Sequence, residues 1–379
     1  MTRILRKVSK KIFIVINIIT VVAFLLVCCT GFLSPGRYWY VAVLGVVFPF
    51  IVLALLLFIF FWWFFKSRWA FLPLVTLLIG WWQVHALFGL HAFNRFKTDK
   101  PEGSLRIMQW NVSRMDQMNI KRPGGTFRRP ILDFIKKMNP DVLCLEEFLE
   151  SNNPKELEQN IPYFTHTLKY PYYYFARDHR RADGVYEHGV IIFSRYPILD
   201  TLRIRYSGLD SLKAAESLIH ADIDVNGQRI RVFATHLQSL RFDGNDYTVI
   251  RTLAKGEDDA VNKSKGVLKK FRLAYYLRSK QAELVRREKD DSPWPTITCG
   301  DFNDIPNSFT YARIIGSDRD AFLQCGFGIG RSFASLSPTL RIDYIFTDKK
   351  MEVLQFKKTT LPYSDHYPLV ADIKLPGKE

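Results

Sequence analysis

Three long apolar stretches, residues 12–33, 39–65 and 69–90, open this chain and contain almost no charge. A helix crosses the hydrocarbon core of a bilayer in roughly 20 residues, and each stretch has that length. A cleaved signal peptide would account for the first stretch but not for the two that follow. The pattern predicts a membrane anchor over residues 1–91 with three transmembrane helices; a hairpin or re-entrant segment around Pro49 or Pro73 is the competing geometry. The stretches carry no acidic residue and only His85, with His91 just past the end of the third, which argues against an ion path and hence against a channel or transporter.

Composition matters here through charge. A formal +16 suggests a nucleic-acid binder until it is divided along the chain. Residues 1–100 hold eleven Lys and Arg against one acid, Asp99, a net of +10, and the remaining 42 basic and 36 acidic residues leave +6. Most of the excess belongs to the membrane part. Arg3, Arg6, Lys7, Lys10 and Lys11 precede the first stretch, Arg37 lies in the first loop, and Lys66 and Arg68 lie in the second. Basic residues favour the cytoplasmic side. The N-terminus is therefore expected inside and, after three crossings, everything beyond residue 91 outside. The five Cys, at 28, 29, 144, 299 and 325, have the spacing of neither a zinc site nor a disulfide framework.

Residues 92–104 read as a polar linker, and a soluble domain runs over 105–379. Strand-like runs cover Leu105–Val112, Asp141–Leu145, Tyr172–Ala176, Gly189–Phe193, Pro295–Cys299, Ile342–Phe346, Val353–Phe356 and Leu369–Ile373. Phe127, Ile131, Leu132, Ile135 and Met138 recur at helical spacing up to Asn139-Pro140. A hairpin is predicted around Asn226-Gly227, where alternating strands flank a pair suited to a two-residue turn. Residues 240–266 read as a surface excursion and 267–288 as a helix with a basic outer face.

Several strand ends carry polar residues. They are Asn111, Glu147, Ser194-Arg195, His236, Asp301 with Asn303, Asp343, and Asp365-His366. Hard divalent cations take oxygen ligands, and Mg²⁺ commonly combines one or two carboxylates with substrate phosphate and water. Phosphoester cleavage needs such charge neutralisation, a positioned water and a donor near the leaving oxygen. Glu147, ending a buried strand, is the candidate ligand; an exposed carboxylate at a strand–loop junction is the plainer reading. Glu146 should face the opposite side of the strand. Asp301 and Asn303, two apart, would face one way if the strand continued, with Asp301 orienting water and Asn303 donating to a phosphate oxygen. A turn in which Asp and Asn bond their own backbone is the plainer alternative. In Asp365-His366 one side chain can reach a metal and the other the substrate. His366 is then a candidate general base oriented by Asp343, and His236 a proton or hydrogen-bond donor to phosphate.

These residues, in this order, resemble the endonuclease/exonuclease/phosphatase superfamily over residues 105–375. That group includes pancreatic-type deoxyribonuclease, apurinic endonucleases, neutral sphingomyelinases and inositol polyphosphate 5-phosphatases. Asn111 matches the first-strand Asn. Pro140 to Glu147 matches the strand ending in the metal-binding Glu, and Gly189 to Pro197 the following glycine-led strand. Gly300-Asp301-Phe302-Asn303 is the most specific piece, followed by Arg341-Ile342-Asp343-Tyr344 and Ser364-Asp365-His366. The resemblance implies an α+β fold: a four-layer α/β/β/α sandwich of two mostly antiparallel sheets, with the site at one edge. It also implies Mg²⁺ or Mn²⁺ at Asn111, Glu147 and Asp365, and in-line water attack on phosphorus. Thr235-His236-Leu237 resembles the deoxyribonuclease and sphingomyelinase branches and disfavours abasic-site repair.

The sequence thus leads to a membrane-anchored, metal-dependent phosphoesterase outside the cytoplasm. Its substrate is a nucleic acid or a phospholipid or sphingolipid head group, since family motifs do not choose between them. Lys121-Arg122, Arg128-Arg129, Arg177 and Arg180-Arg181 could follow a nucleic-acid backbone, whereas a bilayer tether favours lipid. A catalytically silent, membrane-tethered binding module is the alternative.

Overall fold

The computed structural model describes residues 3–119, 121–181, 183–207, 216–240, 248–249, 260–335 and 337–377. The chain divides into two compact units. One comprises Met1–Phe88, Leu240–Ser279 and Ile305–Arg313; the other comprises Gly89–Ser239, Lys280–Asp304 and Ile314–Glu379.

In the first unit the helices are α1 (Arg3–Cys28), α2 (Pro35–Val46), α3 (Phe48–Phe64), α4 (Phe71–Ile79) and α5 (Trp81–Leu87). Among the described residues, only α1, over Leu5–Cys28, is a single helix long and apolar enough to cross a membrane. The second and third apolar stretches are not the unbroken spans expected. Pro35–Val46 and Phe48–Phe64 are bent by 56°, and Arg68–Ile79 and Trp81–Leu87 by 68°. Proline supplies no N–H to the preceding turn, and Pro49 sits in the first turn of α3 at the first break. Gly80 sits at the second.

The second unit contains β1 (Gly89–Leu90), β2 (Ser104–Asn111), α6 (Arg128–Met138), β3 (Val142–Ser151), β4 (Tyr172–Arg180), β5 (Tyr186–Ser194), β6 (Ile198–Ile204), β7 (Leu218–Val225) and β8 (Gln228–His236). It continues with β9 (Thr296–Asp301), β10 (Arg319–Asp320), β11 (Phe327–Gly328), β12 (Asp343–Thr347), β13 (Glu352–Lys358) and β14 (Leu369–Lys374). Two six-stranded mixed sheets result, ordered β13-β14-β2-β3-β5-β4 and β10-β12-β9-β8-β7-β6. Each has one parallel pair, β2 with β3 and β8 with β9; its other pairs are antiparallel.

Side-chain alternation explains how the sheets pack. Leu105, Ile107, Val142, Cys144, Val190, Ile192 and Leu369 meet Ile219, Ile223, Ile230, Val232, Ile297, Cys299 and Ile345 in one inter-sheet core. The opposite face of the first sheet, including Met108, Trp110, Leu143 and Leu145, packs with Ile131, Leu132, Ile135 and Met138 of α6. Phe233, Thr298 and Phe346, on the outer face of the second sheet, are also fully buried.

The Asn226-Gly227 hairpin forms with Val225 opposite Gln228. Both turn residues have positive φ, 55° and 84°. The segment 92–104 is irregular but pinned: Gln355 accepts from Lys97 N–H and donates to its carbonyl, and Lys100 pairs with Asp141 at 2.6 Å. The predicted excursion 240–266 lies largely outside the described residues; from Ala260 to Asp290 the chain is helical.

Candidate active site

The inter-sheet core changes character at one end. Along β2, residues 105 and 107 are apolar inward positions, and the same alternation leads to Gln109 and Asn111. On β8, Ile230, Val232 and Ala234 lead to His236; on β9, Ile297 and Cys299 lead to Asp301; on β12, Ile345 is followed toward the strand start by Asp343. Neighbouring strands therefore place polar side chains in one layer. Gly300 permits β9 to lie close to β8, because a Cβ there would sit 2.2 Å from the Thr235 carbonyl oxygen.

Asp301 occupies the middle of this layer. Its Oδ2 accepts from Asn111 Nδ2 at 3.1 Å and lies 3.5 Å from His236 Nε2 and 3.6 Å from His366 Nε2. Each imidazole is held from behind by its own carboxylate. His366 Nδ1 is 2.9 and 3.1 Å from the Asp343 oxygens, and His236 Nδ1 is 3.1 Å from Glu216 Oε2. Asp343 is itself fixed by the Gln109 amide at 3.2 Å and the backbone of β12 by Ser332 Oγ at 3.0 Å. Asp301, Asp343 and His366 bring ligand atoms within 4.8 Å of one another.

The electrostatics follow from burial and pairing. Burial opposes charging His236, but Glu216, followed by Asp301, outweighs it and raises the imidazole from 6.5 to about 10. Burial likewise opposes charging His366, and Asp343 and Asp301 reverse the effect, raising its pKa well above the ordinary value. Glu216 would be raised by burial, yet His236 and His188 hold it below the usual carboxylate range. Asp301 is raised by burial, with His366 pulling down and Asp343 adding to the rise. Glu146, also fully buried, is raised well above its ordinary range by burial and then by Asp343.

In metal-free protein, imidazole-nitrogen NMR should show His236 protonated until about pH 10. Glu216→Gln should move that titration down toward 6.5, the ordinary value. The folded pKa lies above the unfolded one, so the associated stability is complete below about pH 6.5 and is lost as pH rises to about 10. The wild-type advantage over Glu216→Gln in urea melts should narrow across that window. A wild-type His236 that titrates near its ordinary value contradicts the pairing.

Glu147 departs from the strand geometry assumed in reading the sequence. One extra residue bulges out of β3 between Leu145 and Phe148, and Glu147 has φ 48°. The bulge lets Leu145 and Phe148 both face the α6 core. Glu146 then reaches the Gln109 amide at 2.8 Å, while the Glu147 carboxylate contributes to the charge around His236. The two acids therefore both serve this end of the core, contrary to simple alternation. Ser113 to Asp116, just past Asn111, are four successive residues at positive φ, and Arg114 lies 3.5 Å from Glu147. Such strain in non-glycine residues clusters at functional sites.

Asn303 does not continue an extended strand. It has φ 52°, its N–H bonds Asp301 Oδ1 at 2.9 Å, and its amide donates to the Leu237 carbonyl at 3.0 Å. It thus lies beside His236 through a turn rather than through strand parity. Asp365 is exposed. The adjacent Ser364 hydroxyl ties this loop to the Asn111 carbonyl at 2.8 Å.

The donor set suits a hard divalent cation. Glu146, Asp301 and Asp343 are buried carboxylates; burial first, and then Asp343, raises Glu146 and Asp301, and a cation beside them would favour their ionised forms. Glu147 and Asp365 add carboxylate oxygens that reach solvent, and Asn111 adds an amide oxygen that now accepts from Ser113 N–H. Among the described residues, Glu147 and Asp365 stand outside the tight Asp301, Asp343 and His366 group.

Glu216 escaped the sequence reading, as did the inward role of Gln109. A signal for Glu216 was present. Counting back along the hairpin from its turn puts Leu218 opposite Thr235, so Glu216 falls beside the end of the His236 strand. The basic clusters look different in the fold. Arg122 pairs with Asp116, Arg128 with Glu158, Arg129 with Asp133, Arg177 and Arg180 with Glu187, and Arg181 with Asp183.

An endonuclease/exonuclease/phosphatase family model matches residues 108–366, and a domain of unknown function matches residues 10–87. Among solved structures, an endonuclease/exonuclease/phosphatase from Beutenbergia cavernae is similar at TM-score 0.52 and 20% identity, over 73% of this chain and 72% of that one. The human Nocturnin catalytic domain with bound sulfate aligns at TM-score 0.47 and 18% identity, covering 73% and 96% of the two chains. D. rerio TDP2 complexed with a single-strand DNA product aligns at 0.47 and 17%, covering 72% and 99%. No curated protein gives a significant match.

Proposed function

The chain belongs to the endonuclease/exonuclease/phosphatase family, and from that premise we propose that it hydrolyses phosphoester bonds by metal-assisted water attack while tethered to a bilayer through α1. One observation carries the reading: Asp301 stands between two imidazoles, each locked by a carboxylate of its own. Two imidazoles converging on one buried acid, each oriented by a second carboxylate, favour phosphoryl chemistry over a silent scaffold.

Glu147, Asn111 and Asp365 would hold Mg²⁺ or Mn²⁺, which supplies neutralisation of charge on the phosphorus oxygens. The chain's own residues divide the proton work. Asp301, its basicity raised by burial, orients the attacking water and accepts its proton as the new P–O bond forms. The His236 imidazolium donates to the leaving oxygen as the old P–O bond breaks. His366, with Nδ1 committed to Asp343, presents Nε2–H to a non-bridging oxygen. Its raised pKa favours this donor role over that of a general base. Asn303 Nδ2 bonds Leu237 O with one hydrogen and keeps a second for the phosphate.

Both substrate classes offer this phosphoester. The carboxylate pairing of the arginine clusters reduces the free positive charge that would follow a nucleic-acid backbone, so the tether's proximity to head groups favours lipid. A panel of DNA, RNA, sphingomyelin-type lipid and inositol phosphates, offered to the full chain in detergent with Mg²⁺, should show lipid head-group hydrolysis fastest. Turnover of DNA or RNA above lipid reverses that choice, and no turnover of any substrate leaves the silent binding module. The basic residues before α1 place the N-terminus in the cytoplasm. One crossing or three would alike leave the catalytic unit outside. A C-terminal reporter fusion should read external; a cytoplasmic signal overturns the orientation.

A further inference from the structure

A groove of about 570 Å³ opens in the first unit between the early turns of α1 and the end of α3. Its walls differ in chemistry along their length. Arg6, Lys10 and Phe13 follow one another on one face of α1 at helical spacing and line the groove. Phe61, Trp62 and Phe65 line it from the other side, and the Phe13 and Phe61 rings stack at 4.7 Å. The groove is therefore cationic toward the chain terminus and aromatic deeper along α1.

Its charges lack ion-pair partners among the described residues. Neither Arg6 nor Lys10 forms an ion pair among the described residues, and residues 1–98 contain no acid. Trp62 is 3% exposed, and its indole Nε1 has no hydrogen-bond partner. A buried indole N–H ordinarily finds an acceptor. Two free cations and one unsatisfied buried donor, beside an aromatic wall, suit an anionic head attached to an apolar tail. The basic flank of α1 also belongs, by charge, to the cytoplasmic leaflet, where acidic lipids concentrate.

We propose that this groove binds an acidic phospholipid. The phosphate meets Arg6, Lys10 and the Trp62 N–H, and the acyl chains run along Phe13, Phe61 and Phe65. The site is separate from hydrolysis and would fix the depth and rotation of α1 in its leaflet.

Native mass spectrometry of the full chain in detergent, titrated with phosphatidylglycerol, phosphatidylcholine or inorganic phosphate, tests this. Phosphatidylglycerol should bind about tenfold or more tighter than phosphatidylcholine, given the contribution of each basic residue near an anionic surface. Inorganic phosphate should not bind measurably. Arg6→Gln with Lys10→Gln, both at exposed positions, should erase the preference. Trp62→Phe keeps the aromatic wall and should weaken phosphatidylglycerol binding by about fivefold, as for one hydrogen bond. Equal binding of the two lipids overturns the proposal. So does an unchanged preference in the double variant, or inorganic phosphate binding as tightly as phosphatidylglycerol.

Discussion

Asp301→Asn should reduce turnover by about 10²-fold or more, the scale of a lost acid–base group, while the protein stays folded. The substitution keeps the shape, and an Asn carbonyl oxygen can still accept from Asn303 N–H, as Asp301 Oδ1 does at 2.9 Å. What disappears is the negative charge between His236 and His366 and the proton acceptor for the attacking water. Steady-state rates on a phosphodiester, with near-ultraviolet circular dichroism as the fold control, give the answer. Turnover within a fewfold of wild type would move the water-activating group elsewhere.

Asp343→Asn and His366→Ala should each cost on the order of 10²-fold, and the double variant little more than either alone. His366 contacts both Asp343 oxygens through one ring nitrogen. Removing Asp343 therefore frees the tautomer and rotation of the ring, and removing the ring leaves Asp343 with no phosphate-facing donor to orient. Residues acting as a unit are strongly non-additive. A double variant whose loss equals the product of the single losses would show independent action and break the proposed pairing. A complication is destabilisation, because Asp343 is buried and either change leaves a buried polar group partly unpaired. Urea melts of the three variants separate that effect from the loss of rate.

Much of this site was legible because strand alternation is a rigid geometric rule. Ile230, Val232 and Ala234 mark one face of β8, and the next position on that face is His236; the same count along β9 reaches Asp301. The Asn226-Gly227 turn set the hairpin register for a comparable reason, since both residues tolerate positive φ. Where local rules were overridden, the sequence misled. Glu147 is a non-glycine residue at φ 48° in a bulge, and nothing in Leu145-Glu146-Glu147-Phe148 announces an extra residue. Asn303 takes the turn that the sequence offered as the plainer alternative, its N–H bonding the Asp301 side chain, so only the extended reading failed. Glu216 was hidden because its importance comes from a partner twenty residues away. The bent helices teach the same lesson. Hydropathy records how long an apolar stretch is; the break near Pro49 was the competing geometry the sequence offered, whereas Gly80 sits at a break where a Cβ would lie 2.3 Å from the Phe24 ring, a packing requirement that hydropathy does not carry.

The most direct measurement is the initial rate of phosphodiester hydrolysis by the full chain and by its Asp301→Asn variant, side by side. Each is assayed with Mg²⁺, after chelation, and after Mg²⁺ is restored. Wild type should lose its rate on chelation and regain it on restoration, while Asp301→Asn stays low throughout. A wild-type rate indifferent to chelation, or a variant as fast as wild type in Mg²⁺, would contradict a metal-assisted phosphoesterase centred on Asp301.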